Sequence, residues 1–562
     1  MNKFFKYIPF AALALTTSLV SCNKDLDVTP ISNGLVDASK ISAEQLLNKC
    51  YANFAVAGNG GADGDCDVDG IDGGTSGLFR QMWNSNELTT DEAICGWGDP
   101  GIPNFCYNSY NASHPMLEGY YFRLCTGISF CNQYLADFSD YDSAMTAEAR
   151  FLRAFQYYLL MDAYGNPPFS LEVTTDNPPQ YSRAQVFEFI ESELKDIIGE
   201  GEDSSALLRD ARAKKKGDAN YGTVDKAAAW MLLARLYLNA EVYTGTARWA
   251  DAAKYAKMVM DSPYKLLTEG SSKQVSHDGY TETWEFTPYQ MLFMGDNDKT
   301  DAAYEAIFPL LQDGQRTTSW GTALYLIAST FDADMHENRY LSDAVNGVAS
   351  QAWGGNRARP QLVRLFFPES EYTEEDLPQA YSYDVYAIAG DDRALFSSMG
   401  RNLNITDPGV FTNGWAVAKF TNFTTDGSAT ADAKHPDMDV FLMRVAEAYL
   451  TYAEALTRQA GGTAPAEAIA AINAIRSRAH AETKAGYNLD QILDEWGREF
   501  FFEGRRRVDL IRFNKFGGTT GYNWQWKGGV YGGANFSKDL NVFAIPASDR
   551  NSNPNLAQNP GY

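Results

Sequence analysis

AAAWMLLARLYLNAEVY, residues 227–243, decides the fold class. The stretch is apolar nearly all round, with Arg235 the one charge before Glu241. A helix without a polar face is stable only when other helices surround it. The spacing therefore predicts a buried helix over 225–243 inside a multi-helix stack. Residues 249–261, with Ala252 and Ala256 on one face, supply its partner.

The pair has repeat character. Trp230-x-x-Leu233-Ala234-x-x-Tyr237 matches the first half of a tetratricopeptide repeat. Ala252, Ala256 and Pro263 fit the second half if the turn carries about six extra residues. Ala446-x-x-Tyr449 begins a similar pair at 440–459. Pro465 opens its partner helix, and Ile469, Ile472 and Ile475 line one face. Further helices are predicted over 43–56, 117–137, 144–164 and 183–199. In the third of these, Phe151, Phe155, Tyr158 and Asp162 form a stripe that turns polar, and Gly165-Asn166-Pro167-Pro168 stops it. The fold class is mainly α, with about four helical pairs.

The rest of the chain reads differently. Residues 57–77 are rich in Gly and Asp and form a loop. Residues 264–439 are loop-rich, and long structured loops in a helical protein usually carry function. The predicted scaffold is 43–263 with 440–513; the predicted ligand region is 57–110 with 264–439. A helix near 489–512 alternates acids with Arg498, Arg505, Arg506, Arg507 and Arg512, which points to an ion-paired structural helix.

The N-terminus sets the compartment. Lys3 and Lys6 precede an apolar run over 8–20, and Leu19-Val20-Ser21-Cys22 closes it. The run is too short to span a bilayer and has the layout of an export signal, residues 1–21. Cleavage would leave Cys22 first, acylated as an anchor to a membrane. Residues 23–43 read as a polar tether. The chain carries a net charge of −25, and loss of Lys3 and Lys6 makes it −27. That disfavours nucleic acid or anionic lipid as a partner, because both need clustered Lys and Arg.

Other chemistry is sparsely signalled. Six cysteines besides Cys22 (Cys50, Cys66, Cys95, Cys106, Cys125 and Cys131) permit disulfides in an exported protein. No C-x-x-C occurs and His numbers five, which argues against a zinc site. Asp65-x-Asp67-x-Asp69-Gly70 begins like a calcium loop, but position 12 is Ser76 where an EF-hand needs Glu. No G-x-S-x-G or H-E-x-x-H supports a serine hydrolase or zincin. A glycoside hydrolase needs only two suitably spaced carboxylates and stays open as an alternative. Aromatics are abundant, with 32 Tyr, 32 Phe and 11 Trp, a supply that suits stacking on ring-shaped ligands.

Several stretches together resemble the SusD/RagB family of outer-membrane glycan-binding lipoproteins. They are the lipobox, FLRAFQYYLLMDAYGNPPF (151–169), residues 227–243, RVAEAYLTYAEAL (444–456), EFFFEGRRRVDLIRF (499–513) and NPNLAQNPGY (553–562). DGIDGGTSGLFR (69–80), NELTTDE (86–92), AGDDRAL (389–395) and WKGG (526–529) resemble its starch-binding founder. The resemblance implies a non-catalytic protein. It implies a lid on a TonB-dependent transporter, with helical pairs facing the channel and loops holding an α-glucan such as starch. It implies no required cofactor.

Glycans offer apolar C–H patches on ring faces and hydroxyl pairs on ring edges. Flat aromatics suit the first, and Arg and Asp suit the second. Trp97, Trp320 and Trp353 lie in loops, outside any amphipathic helix, and are the candidate stacking rings; a loop tryptophan can equally well pin its loop to the core. By resemblance, Trp320 and Trp353 fall at the relative's aromatic arc, Trp97 beside its binding loop, and Asp72 and Arg80 at its hydrogen-bonding positions. Cys95 stands where that relative has a stacking Trp. The loop after Trp97 is one residue shorter, with Asp99 where an Asn is expected, so Asp99 is the candidate acceptor. Asp296-Asn297-Asp298 and Asp437-Met438-Asp439 resemble its calcium-ligating stretches. Asp298, Asp437 and Asp439 are thus candidate ligands for a structural Ca2+.

Overall fold

The 227–243 stretch is largely buried, but its helix ends at Leu238, shorter than the 225–243 predicted; Ala240–Thr244 form a separate short helix on which Glu241 is exposed. In the computed structural model, which describes residues 41–62, 66–277, 280–335, 345–518 and 521–562, the helix ending at Leu238 is one of a long series. The elements in order are α1 (Ala43–Ala55), α2 (Leu78–Trp83), α3 (Pro115–Phe138), α4 (Ser143–Tyr164), α5 (Arg183–Ile198) and α6 (Lys226–Leu238). Then come α7 (Trp249–Met260), α8 (Ala323–Ser329), α9 (Val445–Gln459), α10 (Ala466–Arg478), α11 (Leu489–Phe500) and α12 (Arg506–Arg512). The export signal, Cys22, most of the tether and Asp65 lie outside the described residues.

The chain divides into two units, Met1–Leu46 and Leu47–Tyr562. In the first, Ser42 caps α1: its hydroxyl accepts the Gln45 N–H at 3.3 Å, and Gln45 Oε1 accepts the Ser42 N–H at 2.9 Å. In the second, α3 packs on α4, α4 on α5, α5 on α6, α6 on α7, α7 on α9, and α9 on α10 and α11. Neighbours in sequence are neighbours in space, the hallmark of a helical-repeat stack.

Caps explain where the helices start and stop. Asp142 accepts Met145 N–H at the head of α4, Ser182 and Gln185 form a capping box on α5, and Asp225 accepts Ala227 N–H on α6. Gly165 takes φ 71° and ends α4 where the Gly-Asn-Pro-Pro run predicted. The Phe151–Phe155–Tyr158 stripe is buried against Phe54 and Phe308. Asp162 at its end is buried as well, held by Tyr243 Oη at 2.8 Å and Arg507 at 3.4 Å.

Three expectations need correction. Residues 440–444 are not helical: β6 (Val440–Arg444) pairs antiparallel with β4 (Ala306–Leu310), both buried throughout, and α9 begins only at Val445. The apolar run Val440-Phe441-Leu442-Met443 fits either element, and length alone does not decide. The loop-rich middle holds a hairpin, β2 (Ser271–His277) with β3 (Tyr280–Phe286). Its strands are mostly polar, with Tyr280, buried Trp284 and Phe286 on one face of β3 interrupted by Glu282, too little apolar alternation to announce a hairpin. The helix over 489–512 is two helices, broken between Phe500 and Arg506 where Phe502 (φ 63°) and Gly504 (φ 80°) turn left-handed.

Acids from the NELTTDE stretch hold that break. Glu87 accepts the N–H groups of Gly504 at 2.6 Å and Arg505 at 2.9 Å, and Asn86 donates to Gly504 O at 3.1 Å. Asp91 pairs with Arg506 through two contacts of 2.8 Å. Behind it lies a buried ionic network. Arg444 contacts Glu305 at 3.0 Å, Glu499 at 2.6 Å and Glu503 at 2.8 Å; Arg393 contacts Asp391 at 2.7 Å and Glu495 at 2.7 Å. The ion pairing read from the sequence is present, but it lies in the interior.

Candidate functional site

A two-stranded ladder positions the first two tryptophans. β1 (Ala93–Cys95) pairs antiparallel with β5 (Asn356–Ala358), Ala93 opposite Ala358 and Cys95 opposite Asn356. Trp97 follows β1 and Trp353 precedes β5, so both leave the same end of the ladder. Gly96 N–H continues it to Gly355 O at 3.2 Å. Gly355 is required: a Cβ there would lie 2.2 Å from the Trp97 indole, closer than any real contact. The indole rests on bare backbone.

The Trp353 loop is fastened to the end of α8. Trp353 N–H donates to Ala328 O at 2.7 Å, Gly354 N–H to Phe331 O at 2.8 Å and Gly355 N–H to Ser329 O at 2.9 Å. Carbonyls near a helix C-terminus lack partners within the helix, and this loop satisfies them. The Trp353 indole N–H donates to Gln351 Oε1 at 2.8 Å. Trp320 stands just before α8, beside Gly74, where a Cβ would lie 3.4 Å from its ring.

The three indoles form an arc. Trp97 and Trp353 have ring centres 6.2 Å apart and planes at 51°; Trp353 and Trp320 are 6.0 Å apart at 44°. Each is half-buried, so each keeps surface for a ligand. Successive rings tilted by nearly half a right angle make a bent apolar strip. Arg80 sits beneath it, only 7% exposed. Its guanidinium lies 4.6 Å from the Tyr325 ring centre and 5.8 Å from that of Trp97, and Nη1 donates to Gly74 O at 3.1 Å. Its Nε is buried without a hydrogen-bond partner. Burial lowers the Arg80 pKa, against the opposing pull of Tyr325, Cys95, Asp99 and Asp72. The carboxylates of Asp72 and Asp99 are therefore within electrostatic reach of Arg80, and both residues are exposed. The structure thus gathers Trp97, Trp320, Trp353 and Arg80, with Asp72 and Asp99 at the rim.

Cys95, the departure from the relative's pattern, offers no ring and no surface. It is 4% exposed; burial pushes its thiol up, and its N–H points at Cys106 Sγ at 3.4 Å. The six cysteines from Cys50 to Cys131 are all unpaired. Sequence reasoning missed three neighbours of the arc. Tyr325, against both Arg80 and Trp97, donates to Asn84 Oδ1 at 2.6 Å. The Lys434 ammonium lies 4.3 Å over Trp320, and the His435 ring lies 5.7 Å from it. Lys434-His435 immediately precede Pro436-Asp437, a stretch read only for its acids.

The candidate calcium ligands Asp298, Asp437 and Asp439 each have protein partners. Asp298 pairs with Lys216 at 2.7 Å, Asp439 accepts Tyr221 Oη at 2.5 Å and Gln312 N–H at 2.7 Å, and Asp437 accepts Ala431 N–H and lies 3.6 Å from Lys299. One Asp298 oxygen keeps no partner, and burial beside Asp298 pushes the Asp439 carboxyl up to about 8. Lys216 and Lys299 lie against Asp298 and Asp437, whereas the partners of Asp439 are Tyr221 and Gln312. Among the described residues no group of three or more His, Cys, Asp or Glu is arranged to hold a metal ion.

Comparison with known proteins agrees with this architecture. Residues 385–562 match a family model described as SusD family, and residues 26–238 one described as starch-binding associating with outer membrane. Starch-binding protein SusD of Bacteroides thetaiotaomicron is 35% identical over 100% of both chains. Among solved structures, a SusD-like protein from Bacteroides fragilis superposes with TM-score 0.64 at 18% identity, covering 94% of this chain and 99% of that one. A laminarin-binding SusD-like protein superposes with TM-score 0.61 at 20% identity, covering 92% and 99%. The chain belongs to the SusD family of non-catalytic glycan-binding proteins.

Proposed function

We propose that this protein captures starch-like α-glucan at the bacterial surface and passes it to a TonB-dependent outer-membrane transporter. The arc of Trp97, Trp353 and Trp320 carries the reading. A helical α-glucan presents a curved succession of sugar faces, and a strip bent by 44–51° per ring is complementary to that curvature. Arg80, Asp72 and Asp99 supply charge-assisted hydrogen bonds to hydroxyl pairs along the ring edges. The full-length similarity to a starch-binding protein favours the same glycan. No calcium ion is part of the proposal.

A second reading, a different glycan on the same arc, is favoured by the buried Cys95 and by the neighbour named as laminarin-binding. Native gels containing amylopectin, pullulan, laminarin, inulin or mannan separate the two. Amylopectin and pullulan should retard the protein, and Trp353→Ala should abolish most of that shift with little change in melting temperature. An aromatic contact contributes about 0.5–1.5 kcal/mol beyond the area it buries, so a loss of roughly tenfold or more is expected. Retardation by laminarin alone would replace α-glucan with β-glucan. A reducing-end assay on maltooligosaccharides should stay flat.

The anchor belongs to the same proposal. Lipid chains on Cys22 would hold the protein at the outer membrane, with residues 23–43 as tether. Cys22→Ala should move the protein from the membrane fraction to the soluble fraction; continued membrane association would remove the anchor from the account.

A further inference from the structure

We propose that Trp526, Tyr531 and Tyr107 form a second glycan-binding subsite, set beside the arc and engaged by chains too long for the arc alone. The inference rests on the glycan-capture reading and extends it. Its starting point is a backbone outlier. Trp526 opens the Trp-Lys-Gly-Gly stretch at φ 67°, ψ 6°, a left-handed conformation that a bulky residue adopts only where its surroundings enforce it. Such strain concentrates where a side chain must be presented in one direction.

The surroundings do enforce it. Lys527 is fully buried, its ammonium donating to Tyr522 O at 2.6 Å and Asn535 Oδ1 at 3.1 Å. Trp526 N–H donates to Tyr531 O at 3.2 Å, and its indole N–H to Ile405 O at 2.8 Å. What this rigid turn presents is an aromatic corner. The Tyr107 and Trp526 ring centres are 5.8 Å apart at 48°, and those of Trp526 and Tyr531 are 5.9 Å apart at 80°. Trp526 and Tyr107 are half-buried and Tyr531 is 44% exposed. Two rings at nearly a right angle make an L in which one sugar face can rest. Planar polar groups stand next to it: Gln525 Nε2 donates to Asn404 Oδ1 at 2.8 Å, and Asn404 Nδ2 to the exposed Glu374.

One loop joins corner to arc. A Cβ on Gly96, next to Trp97, would lie 2.8 Å from Pro408 O, while the Trp526 indole is bonded to Ile405 O. Three residues span at most about 11 Å. A glucan running off Trp97 needs only a few more sugars to reach the corner, and the second contact then gains from effective concentration.

The test is affinity electrophoresis in amylopectin together with calorimetry on maltotriose, for wild type, Trp353→Ala, Tyr531→Ala and Trp526→Gly. Glycine adopts φ 67° without strain, so Trp526→Gly removes the ring and keeps the turn; if it fails to fold, Tyr531→Ala decides. The expected loss grows with chain length: small for maltotriose, about three- to tenfold for amylopectin. If wild type is retained, Trp353→Ala is not, and both corner variants match wild type on amylopectin, the subsite is refuted while the arc stands. If wild type ignores every glucan, capture and subsite fall together.

Discussion

At the scale of single residues, the site depends on what is missing as much as on what is present. Gly355 has no side chain to offer a sugar, yet its absent side chain is where the Trp97 indole lies. Gly355→Ala should therefore displace Trp97 and cut glucan affinity about as much as Trp97→Ala, with the melting temperature within a few degrees of wild type; calorimetry on maltoheptaose and thermal melts check both halves. Part of this was legible beforehand. Loop tryptophans outside any amphipathic pattern pointed to Trp97, Trp320 and Trp353, and resemblance pointed to Asp72 and Arg80. Lys434 and His435 were not legible, because a lone cation or ring in a loop has no periodicity to mark it, and Tyr325 was not, because α8 is a short helix buried all round in which no residue stands out as facing a site. Nor was the role of Gly355, since a glycine's usefulness is defined by a neighbour far away in sequence.

At the scale of elements, long helices were readable and their interruptions were not. The stripe from Phe151 to Asp162 in α4 declares a helix. The break between α11 and α12 is imposed by Glu87, more than 400 positions away, which accepts the N–H groups of Gly504 and Arg505. That contact also carries a pH signature. Burial raises the Glu87 carboxyl to about 7, and Glu92 is raised further by burial and by Glu87 itself. An acid whose folded pKa lies above its unfolded value of 4.5 stabilises fully below pH 4.5, and that contribution fades as pH climbs through 7. Glu87→Gln should therefore flatten the decline in melting temperature between pH 5 and 8; equal slopes for variant and wild type would show that the pair does not titrate there. The hairpin β2–β3 eluded the sequence for the opposite reason: its strands are mostly polar, and the few aromatics on one face of β3 make too short an alternation to read.

At the scale of the whole molecule, the stretches that resemble the starch-binding founder turn out to do different jobs. Asp72 and Arg80 of the 69–80 stretch belong to the arc. Asp91 of the 86–92 stretch and Arg393 of the 389–395 stretch belong to the buried network that joins the loops to α11 and α12. A net charge of −25 thus hides an interior where acids and arginines are matched. Burial alone would raise Glu495 and Glu499; Arg393, Arg498 and Arg476 around the first, and Arg478, Arg444 and Arg393 around the second, outweigh it and hold both at about 2. For acids depressed in this way the stabilisation is present above pH 4.5 and lost as pH falls toward 2. Melting temperature should drop steeply below about pH 4, a fall that calorimetric scans across pH 2–5 would record. Breaking one such pair typically costs about 3–5 kcal/mol, since the abandoned charge stays buried.

The ladder between β1 and β5 has a last consequence. Both of its outgoing tryptophans are moored by main-chain hydrogen bonds, one on the Gly355 backbone and the other on the tail of α8. Their separation is thus settled before any sugar arrives. If a glycan docks on these rings, its association should run at the pace of encounter, and a stopped-flow trace on maltoheptaose should show one concentration-dependent phase with no slow step for a loop to organise.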